Sequence, residues 1–153
     1  MKHIILALLL CLLAVPVFAL DTNLVQHLQS ISVTVQADGG TGSGTIFTRK
    51  DSTGSNDVNL GWTAAHVVSD MKMEQSYLAD DGTTRKRMVF RDVKVTRSII
   101  RNGRVVGVES YIAEVIKYSD ADTGEDLAIL RLRTPVFTNS ARFYLDEGIP
   151  PVG

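Results

Sequence analysis

Strict alternation is the feature that most constrains this chain. In residues 31 to 37, "ISVTVQA", Ile31, Val33 and Val35 alternate with Ser32, Thr34 and Gln36. That is the period of a strand with one face buried and one wet. Comparable runs recur between turn signals. "TIFTRK" follows the glycine cluster "GGTGSG" (39 to 44), which reads as a flexible turn, and "DSTGSND" (51 to 57) is a turn by composition. "VNLGWTA" (58 to 64) is the next strand, and "AAHVVSD" can close it with one helical turn. Asp81-Gly82 and Asn102-Gly103 are hairpin signals. "RMVFRDVKVTRSII" reads as one strand leading into the second of these turns. "RVVGVESYIAEVIKYS" returns from it, with a bulge expected at Gly107, and "DLAILRLR" (126 to 133) is the last clear strand. Six strands at this spacing predict an all-β, six-stranded antiparallel barrel. A helix is expected only around residues 22 to 30.

The first nineteen residues have a different character. Lys2 precedes an unbroken apolar run over 4 to 15, and Pro16 leads to Val17-Phe18-Ala19. This is the pattern of a secretory signal peptide (1–19), with cleavage after Ala19 and no membrane segment afterwards. A secreted or periplasmic destination follows. Cys11, the only cysteine, lies inside that segment, so the mature chain is expected to stand on packing without disulfides. Three histidines in all, one of them His3, leave too few ligands for a Cys/His zinc site. The net charge is −1, and loss of Lys2 takes it to −2, a balance that argues against a nucleic-acid partner.

Chemistry enters at "GWTAAHVVSD" (61 to 70), where an apolar strand ends by presenting His66 after Thr63-Ala64-Ala65. A neutral imidazole is the usual base for a hydroxyl nucleophile near neutral pH. Its second ring nitrogen needs an acceptor, and a carboxylate opening a buried strand can serve. Asp126, at the head of "DLAIL", is such a carboxylate; Asp120 and Asp122 are close in sequence but open no apolar strand. Small side chains at Ala64 and Ala65 allow close packing behind the imidazole. The remaining histidine, His27, has no partner pattern. Trp62 reads as core. The basic run from Arg85 to Arg104, with Val89, Val93 and Val95 between its charges, reads as the solvated face of a hairpin.

"GSGTIF … GWTAAHVV … EDLAIL" resembles the trypsin/chymotrypsin-like serine peptidases, in their bacterial form. The resemblance spans residues 42 to 130. It implies two six-stranded barrels with the site between them, of which residues 20–147 are the first and 148–153 the start of the linker. It implies His66 as general base and Asp126 as its orienting acid. It implies a protein or peptide substrate and no cofactor or metal. The family's nucleophile lies in a Gly-x-Ser-Gly-Gly box of the second barrel, and no such box occurs here. Ser43, between Gly42 and Gly44, sits where the family begins a strand and not where it places its nucleophile. The expectation is therefore a secreted serine endopeptidase present as an N-terminal portion, inactive and prone to self-association when isolated. The alternative is a non-catalytic single barrel that binds peptides or a partner.

Overall fold

The computed structural model describes residues 22–101 and 103–143. The expected signal peptide and the expected linker lie outside them. Helix α1 (Thr22–Ile31) is followed by β1 (Ser32–Ala37), β2 (Gly40–Lys50) and β3 (Asp57–Thr63). A short helix α2 (Ala65–Val68) and a 3-10 turn (Ser69–Met71) come next. Strands β4 (Lys72–Leu78), β5 (Thr84–Phe90), β6 (Val93–Arg101), β7 (Arg104–Ser119) and β8 (Leu127–Leu132) complete the described chain. Six of these strands close an antiparallel barrel in the order β1-β2-β3-β8-β7-β6. Strands β4 and β5 stand apart as a two-stranded ribbon.

The alternation read from the sequence sets the barrel's inside. Val33, Val35, Ile46, Val93, Val95, Ala128, Leu130 and Leu132 point inward and are buried. A barrel of this strand number has room for side chains and little else. α2 and the 3-10 turn add Val68 and Met71 to that core where β3 finishes, and Phe137 joins it from the segment after β8. Closure leaves no barrel edge open to pair with another chain. Beyond the first residue of β1, which pairs with Thr45, the returning chain takes over the side of β2: Ala141 N donates to Ile46 O at 2.9 Å and Thr48 N to Ser140 Oγ at 2.8 Å.

Asn59 fixes that return. It is buried, 1 % exposed, on the inward face of β3. Its Oδ1 accepts from the backbone N–H groups of Val136 (2.6 Å) and Phe137 (2.8 Å). Its Nδ2 donates to Phe137 O (3.0 Å) and Thr48 Oγ1 (2.9 Å). One amide thereby satisfies a chain reversal that has no ladder of its own, as buried backbone groups require.

Several sequence expectations are corrected. The cluster 39 to 44 is not a flexible turn: Gly40 onward belongs to β2, and Gly42, Ser43 and Gly44 pair with Val35, Thr34 and Val33. The barrel has the expected six strands, but the run from 87 to 100 is two strands, broken at Arg91-Asp92, and β4 (Lys72–Leu78) is a strand where none was expected, so the described chain holds eight strands and not six. Trp62 is not core. Its neighbours Gly61 and Thr63 face inward, and Trp62 lies half-buried on the outer face. The hairpin signals hold, with Gly82 and Gly103 at φ +78° and +72°. A register shift leaves Val106 unpaired beside Gly107, where the bulge was expected. The basic run is tied down by carboxylates. Arg85 pairs with Asp81, Lys86 with Glu74, Arg91 with Asp38 and Arg97 with Glu109, while Val93 and Val95 are buried beneath.

Candidate functional site

Strand order creates the site. β8 pairs with β3 in the register Thr63↔Ala128 and Trp62↔Ile129. The residue just before β8 therefore lies beside the residues just after β3. Asp126 and His66, sixty positions apart, meet there. His66 Nδ1 is 2.7 Å from Asp126 Oδ2. His66 N donates to Asp126 Oδ1 at 2.9 Å, and Ala65 N donates to Asp126 O at 3.1 Å. A carboxylate only accepts when ionised, so Nδ1 carries the proton in this bond and Nε2 of the neutral ring is left as a basic lone pair.

The carboxyl of Asp126 is held below its ordinary value, chiefly by the His66 backbone N–H and then by the imidazole itself. It is charged at neutral pH and ready to stabilise an imidazolium. Burial acts against this by raising the carboxyl, but the pair is open to solvent: the side chains are 68 % and 35 % exposed. Among the described residues nothing hydrogen-bonds His66 Nε2, and no cluster of His, Cys, Asp or Glu is arranged to hold a metal ion.

The helical turn under His66 is seated by small residues. Ala65 is fully buried. A Cβ on Gly42 would lie 2.3 Å from Val67 Cγ2, so only glycine at that point of β2 lets α2 settle onto the barrel. A Cβ on Gly44 would lie 3.2 Å from both Val33 and Val35 in the core. The Gly-Ser-Gly sequence thus has a physical cause: one glycine for the turn that carries His66 and one for the barrel wall. Between them, Ser43 O accepts from Thr63 Oγ1 at 2.9 Å, tying β2 to the end of β3. The Ser43 side chain is on the exposed face and makes no bond to His66.

The other acids do different work. Asp120 accepts from Lys72 Nζ (3.0 Å) and Tyr118 OH (3.1 Å), and Asp122 N caps its second oxygen at 3.1 Å. Those bonds hold Asp120 below its usual range, the Asp122 N–H first among them. Neither Asp120 nor Asp122 reaches His66. His27 lies exposed on α1, away from the pair. Sequence reasoning passed over Lys72, whose ammonium also sits 4.1 Å above the Tyr118 ring and fastens the root of the β4–β5 ribbon to the loop that carries Asp126. It also passed over a groove of about 520 Å³ on the outer face, lined by Phe47, Leu60, Trp62, Ile116, Ile129 and Phe143. Trp62 Nε1 is buried there without an acceptor.

No protein-family model, curated protein or solved structure matches this chain.

Proposed function

We propose that this chain is the histidine- and aspartate-bearing half of a secreted serine endopeptidase. The observation that carries the reading is the two-point grip of one carboxylate on His66. One oxygen takes the backbone N–H and the other takes Nδ1, which fixes the ring's position and tautomer together. A general base needs that orientation, and a surface ion pair does not.

In the reaction, Nε2 takes the proton of a serine hydroxyl as it attacks the scissile carbonyl. Asp126 stabilises the imidazolium that forms. The same proton then passes to the leaving amine. The nucleophile and the donors for the oxyanion come from a second barrel, the missing half that the resemblance implies. The outer groove fits such a neighbour. It runs over β3 and β8, the two strands whose ends carry the pair, and an apolar barrel face would cover it. Peptide or protein is the substrate class, and this half supplies no cofactor.

The coding DNA beyond the Gly153 codon tests the proposal. An open frame reaching a Gly-x-Ser-Gly-Gly box is the expected result. A confirmed stop at that point would contradict it and leave a barrel that binds a partner.

A further inference from the structure

Asp126 is the one non-glycine residue with positive φ, +51°, among the described residues. Side chains with a Cβ enter that region at a cost, and a residue held there inside a structure is held by its surroundings. His66 and Ala65 hold Asp126 from the α2 side, where buried Ala65 and the close approach at Gly42 seat the turn on the barrel. On its other side Asp126 is held by the β7–β8 connection.

Two fixed points flank Asp126. On its C-terminal side, Leu127 is paired across the ladder with Ser119. On its N-terminal side, Glu125 N donates to Ser119 Oγ at 3.0 Å. One serine, the last rung of β7, therefore pins both neighbours of Asp126, through its backbone position and through its hydroxyl. The chain has a single residue in which to cross between those points, and it crosses with φ positive. Gly124 explains how the hydroxyl reaches. A Cβ on Gly124 would lie 2.1 Å from Ser119 Oγ and 3.0 Å from Asp120 O. Gly124 is not among the glycines with positive φ, so its lack of a side chain serves proximity and not backbone freedom.

We infer that Ser119 and Gly124 form a latch that sets the backbone of Asp126, which makes Ser119 a positioning residue for the His66–Asp126 pair. The consequence for peptide hydrolysis rests on the function proposed above; the latch itself does not. The charged groups around Asp126 are His66, which it binds, its sequence neighbour Glu125, Asp122 in the same loop, and the Lys72–Asp120 pair at the loop's other end.

The test is carboxyl-carbon NMR of the full chain across acid pH, together with the low-field His66 Nδ1–H resonance. Ser119→Ala removes the hydroxyl. Gly124→Ala forces it aside without asking the backbone for an unusual conformation. Both variants are expected to raise the Asp126 titration midpoint towards that of a free aspartate and to broaden or abolish the Nδ1–H signal. Ser119→Thr keeps a hydroxyl and is expected to keep both signatures. Thermal melts, which any loop variant can lower, do not make this distinction. An Asp126 midpoint and Nδ1–H signal unchanged in Ser119→Ala would overturn the latch. Fluorophosphonate labelling of the intact enzyme separates the two claims. Altered NMR signatures with unaltered labelling would uphold the latch and count against the peptidase reading.

Discussion

Replacing Asn59 by alanine should cost this barrel a large part of its stability. The wild-type amide satisfies Val136 N, Phe137 N and Phe137 O, and it bonds Thr48 Oγ1 as well. Val136 is 38 % exposed, so its N–H can turn to water, whereas Phe137 is 5 % exposed and its two backbone groups cannot. Leaving each buried group without a partner costs about 1–3 kcal/mol, so the pair amounts to about 2–6 kcal/mol. A domain of this kind has about 5–15 kcal/mol in total. With a urea slope of about 2 kcal/mol/M, the unfolding midpoint should fall by about 1–3 M at unchanged slope. Equilibrium urea denaturation followed by far-UV circular dichroism measures it. A midpoint displaced by less than about 0.5 M would refute the reasoning, because the Phe137 groups would then have found other partners at no cost.

Three further outcomes are expected. Gly42→Ala should destabilise the chain by about 1–3 kcal/mol through the clash with Val67, a stiff β-branched side chain, and Gly42→Ala/Val67→Ala should recover part of the loss; denaturant titration of the single and double variants reads both. Stability should fall as pH drops below about 4, because Asp51, Asp81, Glu109, Asp120 and Asp126 all have carboxyls held below their unfolded values. Their contribution is present above the unfolded range and is lost as pH falls through the folded one, so thermal melts across acid pH should show a steady decline and not a plateau. The isolated 153-residue chain should self-associate through its apolar groove, and Ile116→Lys should weaken the association in sedimentation measurements.

The barrel was legible because its strands bury one face. Val33 and Val35, or Ala128 and Leu130, announce themselves by alternation. The β4–β5 ribbon was not, because it buries almost nothing. β4 is exposed from Met73 to Leu78, so no period is imposed on its residues. The break at Arg91-Asp92 has no turn residue to mark it beyond that aspartate. It is fixed by tertiary bonds, Arg91 N to Met71 O and the Arg133 guanidinium to the Asp92 carboxylate. Trp62 misled because its size suggested the core, although the parity of β3 between buried Gly61 and Thr63 turns it outward.

His66 and Asp126 were each visible as motifs. Their pairing was expected only from the family resemblance, since the contact depends on β8 lying next to β3, a non-local pairing that no spacing in the sequence encodes. Gly42 was visible as part of a weak glycine pattern, but its role required knowing that Val67 lies over it. Ser119 and Gly124 carried no signal, because a serine and a glycine in an acidic loop look like any turn.

Fluorophosphonate labelling of the protein isolated from its own source, compared among wild type, His66→Ala and Asp126→Asn, tests the central claim most directly. The account predicts a labelled serine in the wild type and none detectable in His66→Ala. It predicts labelling slowed by about 10⁴-fold in Asp126→Asn, where the imidazole loses its orienting charge and takes the wrong tautomer. Absence of labelling in the wild type, or equal labelling in all three, would contradict the assignment of His66 and Asp126 as the base and orienting acid of a serine peptidase.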